Sequence, residues 1–391
     1  MNGIASLIEN SLLVQTETKD GESRFRFLEV VREYALETLE MCGESDMMKK
    51  NHAAFFLALA NEAETNFFGE QSAEWLNRLE EEHDNLRAAL VWSFEEDTII
   101  AVNLAGALRN FWILHNHLAE GRGWLEKALN LNQNTPQDVR FKLLNGLGHT
   151  AGYQGDLETA RKAHEEGLKA GAAANDLRQI ALSYRGLGFV AKWKGDIAEA
   201  RKFIEKGLAG SQKINEKNGI AVSLNALGDL ARVEKDYAAA RPLFEESLAI
   251  CRQIGNTQGV VGSLNNLGAV TFGEGDYDAA CAYYSEALAA VRQLGEKISL
   301  SYSLDGFAAL AVKRSDAVRA AQLAGAAEHL RSLFGFETEP AERRFRDDYF
   351  AELRSALDEE IFVENYRQGR EMTIEKAVET ALEFVKNGHR E

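Results

Sequence analysis

Proline, cysteine and positive charge are all scarce in this sequence, and each scarcity narrows the reading. Only Pro136, Pro242 and Pro340 occur in 391 residues. Proline lacks the amide donor and clashes with the preceding helical turn, so long proline-free stretches fit a mostly helical chain. The three cysteines, Cys42, Cys251 and Cys281, are odd in number and widely spaced, with no CxxC pair. Neither a disulfide framework nor a zinc motif is signalled, and a reducing cytoplasm is the simplest setting. Lys and Arg total 44 against 61 Asp and Glu, a net charge of −17. Such a surface repels phosphate backbones, so no direct nucleic-acid partner is expected. No apolar run has membrane-spanning length, and the first residues lack a basic-then-apolar signal pattern, so no membrane partner is expected either.

What is present is repetition. The chain exceeds one ordinary globular core unless that core grows by copying a unit. Leu-Gly recurs at Leu147-Gly148, Leu187-Gly188, Leu227-Gly228 and Leu267-Gly268, with the glycines 40 apart, and weakly at Phe307-Ala308. A second marker, Gly155-Asp156, Gly195-Asp196, Lys235-Asp236, Gly275-Asp276 and Ser315-Asp316, keeps the same phase. So do Ala160, Ala200, Ala240, Ala280 and Ala320, and Leu168, Leu208, Leu248 and Leu288. One step back, Leu108 and Trp124 suggest a diverged unit.

Each unit reads as two helices. The first has apolar residues at helical spacing, as in Leu224, Leu227, Leu230 and Ala231. The Gly-Asp pair ends it, because glycine tolerates a left-handed turn and aspartate caps the next helix. The second helix runs, for example, from Tyr277 to about Val291. The Leu-Gly glycines are expected where the two helices press together, answered by the period-40 alanines. Pro242, in the second turn of its helix, is expected to distort that turn, at about 3 kcal/mol if nothing adapts.

The order small-Leu-Gly, Gly-Asp, Ala, then an aromatic or apolar slot (His164, Ile204, Phe244, Tyr284) resembles the tetratricopeptide repeat. The unit is longer than the standard form and looks like the repeats of kinesin light chain and of bacterial regulators. The expected fold is all-α: a right-handed α-solenoid of tetratricopeptide-type hairpins, with a small partial winged-helix segment at the N-terminus. In that segment, Leu12 to Thr16 and Arg24 to Leu28 flank the turn Lys19-Asp20-Gly21-Glu22 and read as a β-hairpin, followed by a helix from about Glu29 to Met41.

The stretch SLLVQTETKDGESRFRFLEVVREYALETL resembles the winged-helix end of signal-transducing ATPases with an NB-ARC-like nucleotide domain. The stretches WLNRLEEEHDNLRAALVWSF, AAEHLRSLFGFETEPAERRF and RQGREMTIEKAVETAL are similar to that family's linking helices and C-terminal end. The chain departs from the family too. No GxxxxGK[ST] phosphate loop is present. Phe27-Leu28-Glu29 aligns with the family's Met-His-Asp triplet and lacks the nucleotide-facing histidine. The resemblance therefore implies the sensor arm of such a regulator without its ATPase, as a shortened paralogue or a gene fragment. The expected division is 1–46 partial winged helix, 47–134 helical linker with one diverged repeat, 135–330 five repeats, and 331–391 capping helices.

Candidate chemistry is sparse. His115 and His117, two apart in a helical region, would point to different faces, whereas helical metal ligation wants i, i+4, so no metal is expected. His149 and His164, on facing helices, read as packing residues. Glu80, Glu81 and Glu82 read as a solvated face. No catalytic triad or dyad signature appears, so neither enzyme activity nor a cofactor is expected.

The binding candidates lie on the first helices, which line the concave groove in this repeat type. Offsets −3, +1 and +4 from the Leu-Gly glycine share one helical face. They select Asn145, Arg185, Asn225 and Asn265 at −3, Phe189 and Asp229 at +1, and Lys192, Arg232 and Phe272 at +4, with Trp193 beside them. Asparagine can both donate to and accept from an extended peptide, and the basic residues can engage carboxylates. Kinesin light chain-like repeats carry a similar LNNLG sequence, here Leu264 to Gly268, with asparagines facing a peptide; the alternative is that the asparagines bridge neighbouring helices.

The leading reading is a non-enzymatic scaffold or sensor arm for a peptide or protein in signal transduction or transcriptional regulation. A second is a small-molecule inducer sensor, with Phe189, Trp193 and Phe272 stacking the ligand. A third, opposed by the net charge and the incomplete winged helix, is a DNA-binding regulator.

Overall fold

The computed structural model of the chain describes residues 2–17, 23–131, 135–294, 297–333 and 340–388. The amino-terminal segment consists of α1 (Asn2–Glu9), strands β1 (Leu13–Glu17) and β2 (Ser23–Phe27), and α2 (Glu29–Met41). The strands pair antiparallel with Leu13 opposite Phe27 and Glu17 opposite Ser23. The hairpin is as the sequence suggests; its Lys19 to Glu22 turn lies outside the described residues. Arg24 of β2 fastens the hairpin to the rest through an ion pair to Glu82 and a hydrogen bond to the Glu81 carbonyl at 3.1 Å.

Next come α3 (Ser45–Asn66), α4 (Ser72–Glu81), α5 (His83–Glu96), α6 (Thr98–Leu114) and α7 (Leu118–Asn130). Helices α3 and α5 pack as a pair, with α4 inserted between them in sequence, and α6 and α7 form the next hairpin. The regular part is a stack of hairpins: α8 (Gln137–Tyr153) with α9 (Leu157–Ala174), α10 (Leu177–Lys194) with α11 (Ile197–Lys213), α12 (Lys217–Val233) with α13 (Tyr237–Gln253), α14 (Thr257–Gly273) with α15 (Tyr277–Leu294), and α16 (Lys297–Lys313) with α17 (Ala317–Ser332). Helices α18 (Pro340–Ala356), α19 (Glu359–Arg370) and α20 (Ile374–Gly388) follow. This is an α-solenoid with a winged-helix segment at its start.

The period-40 markers have local causes. Each first helix ends on a left-handed residue: Gly155, Gly195, Lys235, Gly275 and Ser315 have φ of 79°, 81°, 62°, 85° and 59°. The aspartate that follows caps the second helix; Asp196, for example, accepts from the Glu199 amide at 2.9 Å, and Asp276 from Ala279 at 3.0 Å. The glycines do sit where paired helices touch, but their partners are the aromatic-slot residues more than the alanines. A Cβ on Gly148, Gly188, Gly228 or Gly268 would stand 2.5, 2.5, 2.7 and 2.7 Å from His164, Ile204, Phe244 and Tyr284. Helix α13 runs unbroken through Pro242.

Helix α19 crosses α17 closely, with Gly325 against the Tyr366 carbonyl and Gly369 against that of Gln322. Helix α20 brings Phe384 to 6.3 Å from Phe307, edge to face. At the other end, α4 reaches across to α15, and Ala73 packs on the carboxyl-terminal core. Helix α4, ahead of the stack, therefore touches its fourth hairpin.

Candidate functional site

The first helices α8, α10, α12, α14 and α16 present the positions selected from the sequence, and the structure divides those positions into two groups. Over α12, α14 and α16 the chain covers these positions with its own helix α18. The covering residues lie on one face of α18 at helical spacing: Glu342, Phe345, Tyr349 and Glu352.

Glu342 forms an ion pair with Arg232. Phe345 meets Phe272 edge to face at 5.5 Å. The Tyr349 hydroxyl donates to Asp305 Oδ1 at 2.5 Å, and Asp305 is also paired with Arg331. Lys313 Nζ reaches Glu352 Oε2 at 2.6 Å, and Arg344 donates to the Val233 carbonyl at 2.6 Å. Asp305 and Arg331 are each 5% exposed, so this junction is interior and not a surface salt bridge. Burial, followed by the Asp305 charge, pushes the Tyr349 hydroxyl well above the usual tyrosine range. Burial opposes the Arg232 charge, but Glu342 and Asp229 outweigh it and hold Arg232 above its ordinary value.

Several sequence candidates are therefore engaged within the chain. Lys192 Nζ lies 3.2 Å from Asp229 Oδ2, and Arg232 lies 3.4 Å from Asp229 Oδ1, a buried charge ladder that runs from α10 through α12 to α18. Two asparagines behave as bridges between helices. Asn225 donates to Ser263 Oγ at 3.3 Å and accepts from Asn266 at 3.1 Å. Asn265 donates to the Ser299 carbonyl at 3.1 Å and accepts from Ser303 at 2.8 Å. Phe272 packs on Tyr277 and Phe345; among the described residues it has no ring contact with Phe189 or Trp193. The three aromatics do not form one cradle.

The α8–α10 stretch is different. Phe189 lies tilted against Trp193 at 6.2 Å and against His149 at 6.1 Å, and Trp193 lies 5.3 Å from Tyr153. All four rings are half-buried. Arg185 is 7% exposed, yet its Nη1 has no hydrogen-bond partner among the described residues, and neither does Asn145 Nδ2. Burial lowers the Arg185 pKa, opposed by Glu216 at the start of α12. Burial, then Arg185 and Arg109, pushes His149 down to about 4. His164, wedged between Gly148 and Gly186, is lowered well below the histidine range, chiefly by burial. The site thus offers a buried guanidinium with one nitrogen lacking a hydrogen bond and Glu216 as its nearby countercharge, one free amide donor, neutral imidazoles and aromatic faces.

Sequence reasoning missed α18 as the cover of these positions. The available signal was complementarity: an acidic and aromatic stripe on α18 against cationic and aromatic first-helix positions spaced 40 apart. Glu80 to Glu82 are also not a plain solvated face, since Glu80 meets His115 and His117 while Glu82 meets Arg24.

Comparison with known proteins agrees with this architecture. Residues 179–253 and 260–294 match tetratricopeptide repeats, and residues 1–40 match a winged helix-turn-helix domain. The repeats are tetratricopeptide repeats. Proteins named as HTH-type transcriptional regulators in Mycobacterium tuberculosis and Mycobacterium bovis are 36% identical over 145 residues, which is 37% of this chain and 15% of each regulator. The chain thus matches only a small part of those relatives. Among solved structures, a Rap protein complexed with competence and sporulation factor aligns over 81% of this chain and 99% of its own, with a TM-score of 0.51 at 11% identity. A signal transduction ATPase with a tetratricopeptide repeat sensor, from Pyrococcus horikoshii, covers 94% of this chain and 60% of its own, with a TM-score of 0.49 at 16% identity. No helix among the described residues is long and apolar enough to cross a membrane.

Proposed function

We propose that this chain is a non-catalytic, cytoplasmic sensing and docking arm that binds a peptide or protein partner on its concave face, in signal transduction or transcriptional control. The observation that carries the proposal is the two nitrogens without a hydrogen bond, Arg185 Nη1 and Asn145 Nδ2, beside Phe189 and Trp193. A buried donor without a partner costs about 1–3 kcal/mol, more for a charged group, so an external acceptor that pairs with it gains that much. A carboxylate answers Arg185, a peptide carbonyl answers Asn145, and an apolar side chain packs between the rings. Helix α18 supports the same chemistry, because the chain meets the neighbouring stretch of the face with acidic and aromatic side chains of its own. The Rap protein that shares this fold was crystallised with competence and sporulation factor, which fits a docking role for such a stack.

In this reading residues 135–330 receive the partner, 331–391 cap and partly fill the groove, 47–134 link, and 1–46 join the arm to a regulator. The small-molecule reading is weaker, because Phe345 takes one of its three rings.

The test is selection from a random peptide library on the whole protein and on a variant carrying Arg185→Gln and Phe189→Ala. Carboxylate-bearing peptides should be retained by the wild type and lost by the variant. Equal retention by both, or stabilisation by small metabolites with no peptide retained, would contradict the proposal.

A further inference from the structure

The expectation that His115 and His117 diverge assumes a helix continuing through both, and the helix stops first. Helix α6 ends at Leu114, Asn116 takes a left-handed φ of 61°, and α7 starts at Leu118. That reversal turns both imidazoles onto one carboxylate near the end of α4. Glu80 Oε2 lies 3.1 Å from His115 Nδ1 and 2.7 Å from His117 Nε2. A third imidazole, His83 at the start of α5, stands 4.2 Å from the His117 ring. Phe111 backs all three, at 5.4 Å from His83 and 5.5 Å from both His115 and His117.

We infer that Glu80 Oε2, His115 Nδ1 and His117 Nε2 form a binding site for a divalent transition-metal ion, with zinc as the best match. The three ligand atoms already lie within 4.8 Å of one another. Four-coordinate zinc with bonds of about 2.0–2.1 Å sets its ligands about 3.3 Å apart, so side-chain shifts of tenths of an ångström to about one ångström bring these atoms into its shell. Imidazole with carboxylate suits zinc, cobalt or nickel; calcium and magnesium prefer oxygen alone.

His83 flanks the site. Its ring is 8% exposed, and its Nε2 makes no well-directed hydrogen bond among the described residues, although Glu120 Oε2 lies 3.2 Å away. Glu120 is committed to Arg87, through Nε at 2.9 Å and Nη2 at 2.5 Å. His83 belongs to a neighbouring set with His117 and Glu120, whose ligand atoms also lie within 4.8 Å of one another, so His117 stands between the two sets. The mouth of the site is open, since Glu80, His115 and His117 keep side-chain exposures of 43%, 20% and 24%.

The ion would clamp α4 to the α6–α7 turn. Because α4 also packs against α15, the clamp steadies the contact between the amino-terminal helices and the fourth hairpin.

The experiment uses the untagged full chain, stripped with chelator and titrated with Zn²⁺ by calorimetry and with Co²⁺ by visible absorption. One ion per chain is expected, with ligand-field bands of a tetrahedral nitrogen and oxygen shell, and with zinc raising the melting temperature. Glu80→Gln and His117→Gln should each abolish the one-to-one binding, while His329→Gln, on α17, should leave it intact. The wild-type Co²⁺ spectrum decides the case if a variant folds poorly. Absence of saturable binding by the wild type, an octahedral aquo-like cobalt spectrum, or undiminished stoichiometry in folded Glu80→Gln and His117→Gln would overturn the assignment.

Discussion

Removing one oxygen from Tyr349 should loosen α18 from the groove without disturbing the repeats. The Tyr349 hydroxyl donates to Asp305 at 2.5 Å in a buried setting, and Asp305 keeps its ion pair with Arg331 after the change. The ring itself still packs on Phe345 and Phe350 at 5.9 and 5.7 Å. A hydrogen bond to a charged acceptor contributes about 1.5–3 kcal/mol, so Tyr349→Phe should raise the opening equilibrium of α18 roughly 10- to 150-fold. Backbone hydrogen exchange read peptide by peptide is the appropriate assay, because a solenoid opens in parts and a single melting temperature averages over them. Amides of residues 340–356 should lose protection by that factor, while those of the outer helices α9 and α11 stay as they were. Unchanged exchange in α18, or a uniform loss along the chain, would refute the view that this hydroxyl latches the helix into the groove.

Two glycines in one helix should respond with opposite signs. Gly268→Ala places a Cβ 2.7 Å from the Tyr284 ring and should cost about 1–3 kcal/mol, whereas Gly262→Ala meets nothing within 4 Å and should stabilise the helix by up to about 1 kcal/mol; urea unfolding of both variants checks the pair. Stability should also fall in mild acid. His149 and His164 are held neutral in the fold, so the unfolded chain binds the extra protons: their contribution is full above about pH 6.5 and is lost as the pH drops toward 4. His149 alone should account for about 2–3 kcal/mol across that window, and His149→Gln should flatten the pH dependence of urea unfolding.

The parts of the fold legible in the sequence are those that repeat. Gly155, Gly195 and Gly275 mark left-handed turns, their aspartates mark caps, and Gly148 to Gly268 mark helix contacts; local sterics set all three, and the period carries them along the chain. The site was legible only as a set of positions. Offsets from the glycine pick out positions on one face of the first helices, but what meets them depends on pairing with distant residues. Asn225 and Asn265 take their partners from the next helices, and Arg232 takes Glu342 from 110 residues away. The single residue Asn116 in a left-handed turn reverses the reading of His115 and His117, a change that no helical-wheel argument contains. Arg185 and Asn145 share that face with residues that found internal partners, and only the packed structure separates the two groups.

The central claim is that the α8–α10 stretch of the concave face receives a partner through Arg185, Asn145 and the neighbouring rings. Its most direct test is a hydrogen-exchange footprint of the whole protein with a carboxylate-bearing peptide selected on it. The account predicts added protection in residues 137–153 and 177–194, absent with Arg185→Gln. Protection confined to the winged-helix segment or to the outer helices, with those two segments unchanged, would contradict it.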